Sequence, residues 1–430
     1  MHFPDRGVAT RSQGRRHRAV LKELFDVAVA AADPMRVVPS VLPPRPKGRV
    51  VVIGAGKASA RMGEAVEAVW GACEGLILTR DGYTRELEGI EVVCASHPVP
   101  DRRGRAGTRR LLQLLDTCEE DDFVLALISG GGSALLTCPA GDITLEEEQE
   151  LTRSLLASGA PISQMNTLRK HLSRAKGGRL AAAAWPARML SLIISDVPGD
   201  DPAMVASGPT VADETSPEDA RKIAAHWSIG LTASMHAVLA SPAGTWPWAV
   251  PELSRVENVM IAAPAMSLDA ARQHAARLGI RVRVLGDAIE GEARDVAADH
   301  AKTALEELAV LAPGETSLLL SGGECTVSRR GRGTGGPNAE FCLALACALE
   351  GAKGISAIAC DTDGVDGAAE VAGAMIDETT PARARTLGVS MHAALDQNDS
   401  HSFFAALGDQ VISGPTLTNV NDFRAILVSR

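Results

Sequence analysis

Aromatic residues are scarce in this chain, which has one tyrosine, five tryptophans and seven phenylalanines among its 430 residues. Alanine and glycine are plentiful instead, a usage that suits helices packed closely on a parallel sheet better than a β-sandwich. A basic excess is also lacking. The net charge of -10 argues against a nucleic-acid or membrane-surface protein, since both kinds of partner need a cationic face. Any attraction for an anionic substrate must therefore be local. The eight cysteines, at 73, 94, 118, 138, 325, 342, 347 and 360, form no CxxC pair and meet no histidine at zinc spacing. They read as reduced, mostly buried thiols. No apolar run is long enough to span a membrane, and the N-terminus has no apolar signal core, so a cytoplasmic enzyme is expected. Arg6, Arg11, Arg15, Arg16 and Arg18 superficially suggest a transit peptide, but residues 1–17 are expected to be a disordered leader.

With 46% hydrophobic residues the chain can bury an ample core, and its length suggests two domains. Val20, Leu21, Leu24, Phe25, Ala28 and Ala31 follow a helical period that Pro34 closes. Apolar runs at 50–53, 75–78, 91–95, 123–128, 189–194, 259–262, 281–285, 316–320 and 355–360 then predict strands, most of them separated by helical segments. Thr144 with Glu147 has capping-box spacing, which places Glu146, Glu147 and Glu148 at a solvated helix start. The expected fold is α/β. A larger N-terminal, Rossmann-like, doubly wound domain with a mainly parallel sheet spans 18–245, and a smaller C-terminal α/β domain spans 255–430. Ser241 to Pro251 break all periodicity, and the boundary is placed there.

Several predicted strands end in glycine, serine or aspartate clusters. In an open parallel sheet the carboxyl ends of strands converge on the ligand crevice, so these clusters are candidates for one site. The first is Gly54-Ala55-Gly56-Lys57-Ala58-Ser59, a strand, glycine turn and helix start with a lysine inside the turn. It suits a phosphate or carboxylate. It is neither a complete dinucleotide fingerprint, since Ser59 replaces the third glycine, nor a Walker A loop. The second, Ser129-Gly130-Gly131-Gly132-Ser133, reads as an anion nest of backbone N–H groups with two hydroxyls as extra donors. Asp196 follows the fifth strand and could accept a proton, face a metal through water or cap a turn; Ser207 and Thr210 lie just beyond it. Residues 166–179 form a cationic cluster that includes Arg169, His171 and Lys176, with His171 read as structural. In the second half come Ser321-Gly322-Gly323-Glu324, then Arg332 and Asn338 around a glycine-rich turn. Asp361, Asp363 and Asp366 follow, either holding Mg²⁺ or forming Asx turns.

The ordered set of these clusters, with Ser96-His97-Pro98-Val99-Pro100-Asp101, Lys170-His171-Leu172-Ser173, Asn398-Asp399-Ser400 and Thr418-Asn419-Val420-Asn421-Asp422, resembles the bacterial glycerate 2-kinases of the MOFRL type. Some of these are labelled hydroxypyruvate reductase in tartrate-utilisation clusters. The similarity runs from about Arg18 to the C-terminus, with the MOFRL region at about 315–428. It implies two α/β domains around a cleft, ATP with Mg²⁺, and phosphorylation of D-glycerate at its 2-hydroxyl. It also implies an active-site role for Lys57. Where relatives commonly carry an arginine this chain has Pro337, for which Arg332 is a candidate substitute, and Ser413 and Leu417 also depart from the pattern. These changes bear on substrate identity more than on reaction class.

Phosphoryl transfer asks chiefly for positioning and charge neutralisation, an inventory that this sequence offers. The expected catalytic residues are Lys57 and Asp196. Nucleotide or substrate contacts are expected from Gly54, Gly56, Ser129, Gly130, Gly131, Gly132, Ser133, Arg169, Lys176, Ser207, Thr210, Glu324, Arg332, Asn338 and Asn421, and Mg²⁺ ligation from Asp363 and Asp366. The partners are a small hydroxy acid and ATP, without nucleic acid or membrane, and a homo-oligomer is left open. Two alternatives stand beside this reading: an NAD(P)H-dependent hydroxypyruvate reductase, and a catalytically impaired metabolite-binding relative.

Overall fold

The computed structural model describes residues 6–241, 251–367 and 369–430. Two compact units divide the chain. One is Asp33–Ala263 with Leu417–Asn419; the other joins the helix Arg6–Ala31 to Pro264–Thr416 and Val420–Arg430.

The first unit is built on six strands, β1 Val50–Ala55, β2 Glu74–Arg80, β3 Ile90–Ala95, β4 Phe123–Ser129, β5 Arg188–Ile194 and β6 Val256–Ala262. All pair in parallel, in the order β3-β2-β1-β4-β5-β6. Strand β1 is buried along its whole length, as a central strand covered on both faces must be. Val51, Ile53 and Ala55 pack with Val124, Ala126 and Ile128 and with Leu111 and Leu115 of the helix Arg102–Leu115. The chain leaves β1 for β2 on one side and later adds β4 on the other. The strand order therefore reverses between β1 and β4, and the carboxyl end of the sheet at such a switch point is where ligands bind in open α/β sheets.

The capping box at Thr144 and Glu147 forms as expected, and Gly159 ends that helix in the left-handed conformation. The first helix ends at Ala31, ahead of Pro34 as expected, and Pro34 then opens a second helix, Pro34–Val41, because the Asp33 carboxylate accepts the Met35 amide at 3.0 Å and supplies its N-cap. One expectation is corrected. The break between units falls after Ala263 rather than within 246–254, because β6 completes the first sheet, with Val256 opposite Met189 and Val259 opposite Leu192. Residues 242–250, where much of that boundary was expected, lie outside the described residues.

The second unit contains β7 Arg281–Gly286, the two-residue β8 Gly291–Glu292, β9 Thr316–Gly323, the two-residue β10 Cys325–Thr326, β11 Ile355–Asp361, β12 Gly373–Ile376, β13 Gln410–Val411 and β14 Asp422–Ser429. β8 and β10 pair alone, and the others form a sheet in the order β13-β12-β11-β14-β9-β7. Only β7 and β9 pair in parallel there. The periodicity foretold neither this antiparallel character nor β14. That strand runs between β11 and β9 and is buried throughout, although Asp422 and Arg424 interrupt its apolar run.

The leader expected over 1–17 is corrected from Arg6 onward, where the chain is one helix, while its residues 1–5 lie outside the described residues. Leu21, Leu24, Phe25 and Ala28 pack against Leu268, Ala271 and Phe423. The buried His17 ring reaches Ser429 Oγ at 3.1 Å and Ser356 Oγ at 3.4 Å. Arg18 bonds Asp377 at 2.5 Å and Asp409 at 2.8 Å. These contacts fasten the helix at His17 and Arg18.

One further knot fixes the helix Pro337–Leu349. Both Asp366 carboxylate oxygens accept backbone N–H groups at its N-terminus, from Asn338 at 2.9 Å and Ala339 at 2.8 Å. His401 Nε2 stands 3.3 Å from the same carboxylate. Burial opposes charge on His401, but the Asp366 hydrogen bond and negative charge prevail and raise its pKa above the ordinary histidine value. Asn338 Nδ2 donates to Asp422 at 2.6 Å, and Arg424 pairs with Asp422 at 2.5 Å.

Two outcomes are expected. Arg18→Ala should lower unfolding free energy by about 2 kcal/mol in urea titration, having broken two partly buried ion pairs, whereas Arg16→Ala at an exposed position should be neutral. A histidine with a raised folded pKa stabilises fully below its unfolded value, and that contribution is lost as pH rises through the folded value. The stability difference between the native protein and His401→Gln should accordingly be largest near pH 5 and shrink as pH climbs above about 6.5.

Candidate active site

The loops after β1 and β4 touch through their backbones. Lys57 N–H donates to the Gly130 carbonyl at 2.8 Å. Gly56 lies at φ 143°, and a β-carbon there would stand 2.1 Å from Ser129 Oγ, so only glycine fits. Ser129 is fully buried, accepting the Ala58 amide at 3.0 Å and meeting Ser59 Oγ at 3.2 Å. Its hydroxyl ties the two loops together, which corrects its expected role as a donor to ligand.

Beside this seam Gly130 and Gly131 set three functional side chains. A β-carbon on Gly130 would fall 1.8 Å from Asp196 Oδ2, so the missing side chain is the notch that the carboxylate fills. Asn419 Nδ2 donates to that oxygen at 2.9 Å. A β-carbon on Gly131 would stand 3.2 Å from Lys57 Cγ and 3.3 Å from the His97 ring, which places lysine and imidazole side by side. Burial first, then the charges of Lys57, Arg80 and Arg169, push the His97 pKa down to about 3. The ring is held neutral in a field of cations. Arg169 is desolvated too, and burial takes its pKa down to about 10.

A third group extends from the other end of the β4 loop. Ser133 Oγ lies 2.7 Å from Ser207 Oγ, Ser207 donates to Asn166 Oδ1 at 2.9 Å, and Arg169 donates to the same oxygen at 3.2 Å. Ala206, Ser207 and Gly208 have φ of 53°, 62° and 57°, a left-handed run that costs strain at its two non-glycine positions. Asn166 Nδ2 holds this run through the Met204 carbonyl at 3.0 Å.

The crevice thus gathers Lys57, Gly130, Gly131, Ser133, Arg169, Asp196 and Ser207 from the expected set. It adds three residues that sequence reasoning missed as site members: His97, Asn166 and Asn419. Asn166 had a legible signal, since it stands three residues before Arg169 and such a pair shares one helix face. Asn419 stood in the motif at 418–422, but its meeting with Asp196 had no signal, because the segment Leu417–Asn419 joins this unit only through the fold.

Other expected contacts do not reach this group. Thr210 is buried and donates to Asn258 Oδ1 at 2.7 Å, beside Ser191 at 3.0 Å, so it fastens β5 to β6. Lys176 is buried as well, with Nζ donating to the Leu136 carbonyl at 2.6 Å and Glu148 Oε1 3.8 Å away. Glu148 therefore turns inward, unlike the solvated residue expected, and burial raises its pKa. In the second unit Glu324 and Arg332 are exposed, whereas Asn338 is spent on Asp422 and Asp366. The Asn421 carbonyl accepts Thr362 Oγ1 at 2.7 Å.

The expected magnesium pair does not fit a metal. Asp366 caps a helix with both oxygens, and Asp363 Oδ1 accepts the Val365 amide at 2.8 Å, the Asx turn of the plainer reading. Among the described residues no three or more His, Cys, Asp or Glu side chains gather as a metal site. The donors in the crevice, a lysine, an arginine and backbone amides, suit an anion.

Comparison with known proteins agrees with this organisation. Residues 20–240 match a family described as a domain of unknown function (DUF4147), and 317–422 match the MOFRL family. A D-glycerate 2-kinase of Thermotoga maritima is 35% identical over 407 residues, 93% of this chain and 95% of that protein. A protein of Agrobacterium vitis, provisionally named hydroxypyruvate reductase, is 49% identical over 421 residues, 96% of this chain and 94% of that one. The crystal structure of glycerate kinase from Thermotoga maritima matches with a TM-score of 0.85 at 35% identity, across 96% of this chain and 100% of that one. With a doubly wound sheet ending in a lysine-bearing crevice, followed by a MOFRL domain, this chain belongs to the glycerate 2-kinase family of the MOFRL type.

Proposed function

We propose that the protein is an ATP-dependent kinase that transfers the γ-phosphoryl group to the 2-hydroxyl of D-glycerate, giving 2-phospho-D-glycerate and ADP. The observation that carries this reading is the placement of Asp196 in the Gly130 notch, fixed by Asn419, beside Lys57 and His97 at the sheet's switch point. A carboxylate and a cation set by neighbouring glycines of one loop suit a hydroxyl nucleophile and a charged acceptor group respectively.

In this mechanism Asp196 orients the 2-hydroxyl and takes its proton as the new O–P bond forms and the bond to ADP breaks. Lys57 and the backbone amides of the β4 loop neutralise phosphate or carboxylate oxygens. His97, uncharged, adds a hydrogen bond without titrating. Magnesium accompanying ATP would supply charge neutralisation, held largely by phosphate oxygens with one or two carboxylates at most. The provisional reductase name of the Agrobacterium vitis relative supplies the contrasting arm of the test.

Purified protein with D-glycerate, ATP and Mg²⁺ should release ADP, while hydroxypyruvate with NADH should give no absorbance change. NADH oxidation without ADP release would reverse the assignment. Lys57→Met should lower kcat/KM by roughly 10²–10³, and Asp196→Asn should lower kcat by roughly 10²–10⁴. With the His97 pKa near 3, the rate profile between pH 5 and 8 should show no inflection that disappears in His97→Gln.

A further inference from the structure

The hydrogen bonds around Asn166 have a direction that nothing in the surroundings can reverse. A guanidinium can only donate, so the atom facing Arg169 at 3.2 Å is Oδ1, and a carbonyl can only accept, so the atom facing Met204 at 3.0 Å is Nδ2. Ser207, 2.9 Å from Oδ1, must then give its single proton to Asn166. Ser207 has none left for Ser133, so the 2.7 Å contact between the two hydroxyls is Ser133 donating to Ser207. The proton of Ser133 thus points along the chain toward Arg169. What the half-buried Ser133 offers its remaining surroundings is lone pairs alone.

Such an oxygen repels a phosphate or carboxylate and welcomes an O–H. This overturns the expectation that the Ser133 hydroxyl donates to an anion. Gly130 and Ser133 lie on one short loop after β4, with Gly130 against Asp196 and Ser133 at the start of the four-residue helix Gly132–Leu135. The loop therefore has the Asp196 carboxylate against one end and presents a neutral acceptor, Ser133, at the other.

We propose that Ser133 is a specificity-determining residue that accepts a hydrogen bond from a second hydroxyl of the substrate, selecting dihydroxy acids over acids with only the reacting hydroxyl. The inference rests on the hydroxy-acid kinase reading above and assigns Asp196 and Ser133 to different hydroxyls. Asn166 acts through Ser207 as a positioning residue that sets the polarity. A site built to bond a hydroxyl discriminates strongly against an analogue that lacks it, because its acceptor is left unpaired.

The test compares D-glycerate with D-lactate, which lacks only the 3-hydroxyl, by ADP release and by calorimetric binding. The native protein should prefer glycerate in both. In Ser133→Ala the preference should fall at least about tenfold through loss on glycerate, with lactate and the KM for ATP unmoved. An equal loss on both acids, an unchanged preference or a raised KM for ATP would overturn the proposal. If the native protein releases no ADP with either acid, the kinase reading fails. Binding then decides alone: a glycerate preference that Ser133→Ala abolishes supports the acceptor role, and no preference in the native protein sinks it. Ser133→Gly, which also removes the hydroxyl, carries the same readouts should the alanine protein not fold.

Discussion

The site depends on the contact of two backbones, where the loop after β1 meets the loop after β4 and the Ser129 hydroxyl fastens one to the other. The bond from Lys57 N–H to the Gly130 carbonyl closes that seam, and Gly56 and Gly130 keep it clear. Any β-carbon at either glycine would collide with Ser129 or with the Asp196 carboxylate. A parallel sheet whose strand order reverses between β1 and β4 brings these loops to a single edge, and the glycines turn that edge into a notch. The close approach of Lys57, His97 and Asp196 follows from it.

The second constraint is electrostatic. This chain is acidic overall, yet one crevice concentrates Lys57, Arg80 and Arg169 around an imidazole. Burial is the leading influence on both His97 and Arg169 and makes charge costly at each of these two. An anion bound there would relieve that cost, the logic of a preorganised phosphate or carboxylate site. The strained run at Ala206 and Ser207 belongs to the same economy, held in place by Asn166 to keep a hydroxyl relay directed.

The second unit shows how polar residues with the look of ligands serve architecture. Asp366, Asn338, Asp422, Arg424 and His401 form a buried network around one helix start and the centre of a mixed sheet. Each charged group there faces an opposite charge or a hydrogen-bond partner, which is what burial of charge requires, although Asn338 Oδ1, His401 Nδ1 and Arg424 Nε make no hydrogen bond. Aspartates punctuated by glycines look alike in sequence whether they bind a metal or cap a helix. Only their partners distinguish the two, and here the partners are backbone amides.

Sequence was a sufficient guide wherever one physical rule acted locally. Periodicity and turn chemistry placed the six parallel strands and the capping box at Thr144, because hydrophobic spacing and caps depend on neighbours a few residues away. The family and the α/β class could be read from ordered motifs. Tertiary structure alone decided that Arg6–Ala31 is one helix, since its anchors Ser429, Asp377 and Asp409 lie hundreds of residues on. It also decided that β14 is central, that Thr210 and Lys176 face inward, and that Asn419 reaches Asp196. Local pattern reveals which residues can make a hydrogen bond or an ion pair, but the partner and the direction of the proton are properties of atoms brought together from distant segments.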